Sequence, residues 1–346
     1  MGFKRLEADD FVVSAQAQTA TCWTNNAPTL TNFYTQSNQI NGASGVYYVT
    51  VFNENPTGSN SQAQFEIAYG NVNGGGTLAY NQVAAPGVSP SMTIYGQYRT
   101  LVLEDENTPF IFGGVTQSDF FIVSVERANY KQSLLPGSLN LLLSGSGTDK
   151  VYLTDNSNDV SVVPYINGTR VYQLVSGSNG SSYSGSGYTA ESGSYGWFLP
   201  DMGTILLNGQ ALACPAGYEG GIGLKYSGSA LQSNPSVVPN GYNNALIYTA
   251  ISKGDSFGLN SQENVTSDYV FIRPQNAEFN YTTNPSFISG STGQVIYSQF
   301  INNPQTYITT VGLYNDANEL LAVAKLSKPL VKDFTKEALI RVKLDF

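Results

Sequence analysis

The chain has 346 residues, 41% of them apolar and only 12% charged, with a formal net charge of −9. The charged share is about half that of an ordinary globular protein, and the acidic balance argues against general nucleic-acid binding, which depends on Lys and Arg releasing counterions. Histidine is absent, which excludes Ser-His-Asp and Cys-His catalysis, most zinc sites and the commonest general base.

Residues 1–45 alternate poorly and are rich in Thr, Asn and Gln. They read as an extended N-terminal arm with one or two short strands, part of it packed through Trp23, Phe33 and Tyr34. The opening MGFKRLEADDFVVSA is charged throughout and lacks the apolar core of a secretory signal. No run approaches the 18 apolar residues of a membrane span, so membrane insertion is not expected. Residues 45–53 (GVYYVTVFN) and 64–69 form strands joined by a turn at Asn55, Pro56, Thr57 and Gly58, where Asx and Gly chemistry favours reversal. Residues 71–76 are a second turn, and residues 94–103 (IYGQYRTLVL) read as a further strand before the acidic knot Glu104, Asp105, Glu106. Residues 120–127 (FFIVSVER) are a strong strand with Phe121, Val123 and Val125 on one face. Residues 139–143 (LNLLL) are apolar enough to be buried on both faces.

Residues 144–196 change character. They are Gly/Ser-rich, with Tyr183, Tyr188 and Tyr195 spaced through them. The segment reads as a long loop on an inserted β-subdomain, flanked by strands at 151–153, 159–166 and 170–175. Loops rich in Tyr, Ser and Gly bind through aromatic faces, so these three tyrosines, with Trp197, are candidate interaction residues. Residues 197–207 return to core-like sequence, 244–251 suit a strand or a short helix, and 268–273 a strand. Residues 307–314 and 319–326 form a hairpin turned by Asn315, Asp316, Ala317 and Asn318, and Pro329 then forces a loop. At the end Ala338, Ile340, Val342, Leu344 and Phe346 share one face, with Leu339, Arg341, Lys343 and Asp345 on the other.

Short strands with turn signals between them, and no sustained 3.6 period, define an all-β chain. The division expected is an arm (1–45), a β domain (46–145), an inserted β-subdomain (146–255) and a C-terminal β domain (256–346). These amount to two or three antiparallel sandwich- or barrel-like domains with long Gly/Ser-rich loops. Six of the sixteen basic residues, Lys325, Lys328, Lys332, Lys336, Arg341 and Lys343, fall in the last 22 positions. They either guard a strand edge or form a basic patch that docks on an acidic neighbour.

No catalytic constellation, cofactor site or metal site is legible. Cys22 and Cys214 read as free thiols rather than a disulfide, and they lack zinc-type spacing. Asp155 to Asp159 (DNSND) opens like a calcium loop, but Val160 replaces the required Gly and Ile166 the bidentate Glu. Scattered carboxylates such as Glu104, Asp119, Asp201, Glu263 and Glu278 could pair across a sugar, as those of almost any chain this long could. The expectation is a protein without enzymatic activity.

Four stretches resemble a known family: residues 267–288 (SDYVFIRPQNAEFNYTTNPSFI), 300–346 (FINNPQTYITTVGLYNDANELLAVAKLSKPLVKDFTKEALIRVKLDF), 89–103 (SPSMTIYGQYRTLVL) and 120–141 (FFIVSVERANYKQSLLPGSLNL). They are similar to virion structural proteins of T4-like contractile-tailed bacteriophages, especially those of cyanobacteria. The resemblance implies a baseplate subunit, wedge or peripheral, made in the host cytoplasm and incorporated into the virion tail. Its partners would be other tail and baseplate proteins or further copies of itself in a symmetric assembly. A neck or collar protein, and a tail-fibre protein recognising host glycans, are the alternatives.

Overall fold

In a computed structural model, residues 3–36, 48–77, 89–145, 149–183, 193–214, 220–228, 243–281 and 284–345 are described. The fold is all-β, dominated by antiparallel sheets, one of them a curled half-barrel. The chain divides into two compact units. The larger is Gln18–Glu263; the smaller combines Met1–Ala17 with Asn264–Phe346.

The larger unit is organised on one eleven-stranded sheet. Its order is Thr29–Leu30, Phe257–Gly258, Asn140–Ser144, Lys150–Asp155, Tyr172–Ser178, Gly196–Leu199, Thr204–Leu207, Asp119–Val125, Ala63–Asn71 and Val49–Phe52, with Ser181–Ser182 paired beside Tyr172–Ser178. Strands expected in a β domain and in a separate inserted subdomain therefore share one sheet, and the boundary near residue 145 is not a domain boundary. The cause lies in their sequences. Asn140–Ser144 and Asp119–Val125 are apolar on both faces, so each needs covering layers on two sides and paired neighbours at both edges.

The central strand shows the layering. Phe121, Val123 and Val125 enter the larger hydrophobic cluster with Phe65, Leu141 and Phe198. Phe120 and Ile122 enter a second cluster on the opposite face with Phe110, Phe112 and Trp197. Helix Asn243–Gly254 contributes Ile247, Ala250 and Ile251 to the first cluster, so the stretch compatible with a strand or a helix is helical. Helix Pro90–Tyr98 and the π-type turn Arg99–Leu103 contribute Tyr95 and Val102 to the second.

That second helix corrects the strand expected at 94–103. Pro90 occupies the first turn, where its fixed φ suits a helix. Tyr95, Tyr98 and Val102 then recur at helical spacing over one buried stripe. The helix lies close to the sheet at Gly70, where a Cβ would stand 3.2 Å from the Tyr95 amide nitrogen. The strand expected at 159–166 shrinks to Tyr165–Ile166. Val162 is 77% exposed, and Pro164 has no N–H to give a ladder.

Much of the N-terminal segment is ordered. Phe11–Thr21 is an eleven-residue strand, and Trp23 and Phe33 are buried in the larger core. The Trp23 indole donates to Phe257 O at 2.6 Å and stacks edge-on to the Phe257 ring. Tyr34 is exposed.

Phe11–Thr21 and Asn260–Ile272, the greater part of each within the smaller unit, lie side by side with Ile340–Asp345. Val270 pairs with Val342 and Ile272 with Ile340, placing all four side chains in one small buried cluster. The terminal alternation is borne out from Ile340 to Leu344, with Arg341 and Lys343 outward; Phe346 lies outside the described residues. The expected hairpin is present as Thr306–Tyr314 and Leu320–Lys332, and its turn closes through the Asn315 side chain accepting from Glu319 N at 2.8 Å. Pro329 does not end the second strand. The register jumps from Ile308↔Leu330 to Thr310↔Lys325, so Pro329 sits in an irregularity where no ladder donor is required.

Candidate interaction surface

Two buried polar clusters were possible seats of chemistry. In the first, Tyr69 Oη donates to Asp119 Oδ2 at 2.5 Å and Asn71 Nδ2 donates to Tyr69 Oη and to Gly228 O. The Tyr226 hydroxyl lies beside Asp119 without an aligned hydrogen bond. Burial pushes the Asp119 carboxyl above its usual range, against the lowering pull of the Tyr69 hydrogen bond. In the second, fully buried Asp155 accepts from Gly137 N at 2.9 Å and Ser157 N at 3.0 Å. This is an Asx-type turn whose carboxylate is satisfied by amides, and it is also pushed up by burial. Neither cluster pairs a nucleophile with a base. No group of three or more metal-ligating side chains occurs among the described residues.

The other carboxylates are dispersed. Burial pushes the Asp201 carboxyl up, but the hydrogen bonds and charge of Arg170, 2.5 Å away, outweigh it and hold the group below the usual range. Glu278 pairs with Lys4 at 3.0 Å. Cys22 and Cys214 are free thiols, and burial pushes the Cys22 thiol up to about 12.

The basic residues near the C-terminus do not form one patch. Lys325 and Lys328 are exposed on the hairpin. Lys332 is fully buried, its ammonium donating to Asn276 O, Asn280 Oδ1 and Asp333 O at 3.1, 2.8 and 2.9 Å. It clasps a loop and offers nothing to a partner. Lys336 pairs with Asp333 and Lys343 with Asp345, and Arg341 lies 5.5 Å over the Tyr269 ring. The aromatic platform is also dispersed. Tyr183 is exposed, but Tyr195 and Trp197 are 2% and 4% exposed inside the larger unit, and Tyr188 lies outside the described residues. The Tyr195 hydroxyl donates to Gly220 O.

The sequence reading passed over the apolar surface. Among the described residues, seventeen of the twenty-six exposed large apolar side chains belong to the smaller unit. Three elements present most of them. The hairpin turns Val311, Leu313, Ala324 and Leu326 toward the small core and leaves Tyr307, Tyr314, Leu321 and Val323 exposed. Phe3 lies edge-on against Tyr314, their centroids 5.4 Å apart, yet is itself 63% exposed. The stretch 284–303 holds a cluster of three rings, Phe287 with Tyr297 and Phe300, while Ile296, Tyr297 and Ile301 face solvent. The strand Phe11–Thr21 exposes Phe11, Val12 and Val13. One signal was readable: Leu320 to Ala324 (LLAVA) is continuously apolar, and a strand with one covered face must expose half of such a run.

No family model, curated protein or solved structure matches the chain.

Proposed function

We propose that this protein is a non-enzymatic structural subunit of a contractile-tailed phage virion, a baseplate component that joins neighbouring subunits through its smaller unit. The observation that carries the reading is the exposed apolar surface of that unit, set over a core that holds, among the described residues, four buried apolar side chains, Val270, Ile272, Ile340 and Val342. Free-standing proteins seldom expose apolar surface on this scale, and large contiguous patches mark interaction sites. Permanent assemblies bury 2,000 Å² or more and are apolar at their centres. The stretches that resemble virion proteins, 267–288 and 300–346, make up most of this unit. The glycan-binding alternative is weakened by the burial of Tyr195 and Trp197.

Gold-antibody labelling of purified virions tests the assignment. Label at the tail tip is the expected result. Label at the head–tail junction moves the protein to the neck, and label along fibres revives the receptor-binding alternative. Absence from disrupted particles as well as intact ones overturns the virion assignment.

A further inference from the structure

Six Asn–Gly steps occur in the chain. Such a step is chemically labile, because the glycine nitrogen can attack the Asn side-chain amide carbon. With no Cβ, glycine hinders that approach least. Folding controls the reaction by deciding whether the nitrogen is free and whether water reaches it. Four of the steps lie among the described residues, at Asn73, Asn167, Asn179 and Asn208. Three of these are locked. Gly74 is buried, and its N–H donates to Asn71 O at 3.1 Å. Gly180 is buried, and its N–H donates to Thr154 Oγ1 at 2.8 Å, while Asn140 grips the side chain and amide of Asn179. Asn208 is fully buried, its side chain accepting from Gln210 N and donating to Ser194 O.

Asn167–Gly168 differs on each count. It is the tip of a two-stranded ribbon, Tyr165–Ile166 and Thr169–Arg170, that pairs with no other strand among the described residues. Both tip residues are exposed. The Gly168 N–H has no hydrogen-bond partner among the described residues, and a Cβ built there would meet nothing within 4 Å. A ribbon this short has little stability of its own and opens locally. One contact restrains the step: Asn167 Nδ2 donates to Leu103 O at 2.6 Å.

We propose that Asn167 is a site of spontaneous deamidation, and that its conversion releases the ribbon from the π-type turn Arg99–Leu103. Gly168 N bonds to Asn167 Cγ, the Cγ–Nδ2 bond breaks, and Nδ2 leaves as ammonia with the proton from Gly168 N. Water then opens the cyclic imide at either carbonyl. The product is aspartate, or isoaspartate with the backbone running through the former side chain. The new carboxylate has no proton to give Leu103 O, and it brings a negative charge to the acidic run that begins at Glu104. A carbonyl left without its donor and a like-charge approach both favour separation. The inference concerns the larger unit and does not depend on the assembly reading.

Peptide mapping by mass spectrometry reads each step separately in the full chain, held in warm, mildly alkaline buffer made with heavy-oxygen water. Asn167 should convert several-fold faster than Asn73, Asn179 and Asn208, taking up labelled oxygen and giving both aspartate and isoaspartate. In denaturant, where every glycine nitrogen is free, the four steps should react at similar rates. Asn167→Asp should raise amide exchange in the ribbon and in Arg99–Leu103 while leaving Asp119–Val125 unchanged. Conversion at any of the other three steps as fast as at Asn167 in the folded chain overturns the site. So does an Asn167 that survives in the folded chain and reacts only in denaturant. A ranking that persists in denaturant overturns the role of the fold, and unchanged exchange in Asn167→Asp overturns the release.

Discussion

The two units use similar strands to opposite ends. In Gln18–Glu263 the central sheet is covered on both faces, so Phe120 and Phe121, adjacent in sequence, are both fully buried in different clusters. In the smaller unit a sheet and a hairpin share one modest cluster, and the hairpin's other face meets solvent. A unit with a small core gains little from burial. Apolar side chains kept outside such a core are a cost in solubility unless a neighbour covers them. The larger unit thus hides most of its apolar side chains, whereas the smaller unit displays many of its own to solvent.

The strongest way to break this comparison is to damage each core. Phe198→Ala, at a fully buried site of the larger unit, should cost about 3–5 kcal/mol and unfold much of the protein at moderate temperature. Calorimetry would read this directly. Ile340→Ala in the smaller unit should cost about 2–3 kcal/mol, because its half-open surroundings can partly collapse into the space. If the units are as independent as their cores suggest, that variant lowers only one calorimetric transition. A uniform shift of the whole profile would contradict the division.

Lys332→Met keeps most of the side-chain bulk but leaves Asn276 O and Asn280 Oδ1 without their donor. A loss of about 1–3 kcal/mol is expected in denaturant unfolding. An unchanged midpoint would show that the clasp is dispensable. In the larger unit, Asp119 gives a pH signature. Its folded-state carboxyl is raised by burial, so the folded state binds the proton more tightly than the unfolded chain. Its contribution therefore grows as pH falls from neutral toward the ordinary carboxylate range near about pH 4, and is lost as pH rises through the folded value. Asp119→Asn should flatten that part of the stability–pH curve, and an identical curve would show that the carboxyl is not shifted. The smallest effect is expected on the exposed face. Leu321→Ser should change stability by within about 0.5 kcal/mol while reducing incorporation into assembled particles, measured by competition against the wild type. Normal incorporation would sever the exposed face from assembly.

Local alternation was sufficient to find the strands at Asp119–Val125 and Ile340–Asp345, and an apolar run at 139–143 to find the burial of Leu141 to Leu143 on both faces. It failed where local and tertiary preferences compete. Tyr and β-branched residues from 94 to 103 favour strand, yet Pro90 and the stripe of Tyr95, Tyr98 and Val102 make a helix there. Pro329 suggested a break, but a register irregularity accommodates it within the strand. Lys332 looked like one member of a basic patch until carbonyls on a distant loop surrounded it. The tyrosines looked like a platform, but Tyr195 and the neighbouring Trp197 are core residues.

By itself the sequence determined an all-β chain, without the His-based constellations of hydrolytic chemistry and with turns at particular Asn and Gly residues. These depend on composition and on interactions within a few residues, which the chain carries wherever it folds. Tertiary structure alone decided that strands as far apart in sequence as Thr29–Leu30 and Phe257–Gly258 share one eleven-stranded sheet, and that many apolar side chains are hidden in one unit and displayed in the other. Strand order and coverage depend on pairing between residues far apart in sequence. A period-two pattern specifies which side chains share a face, but only the neighbouring layer determines whether that face is buried.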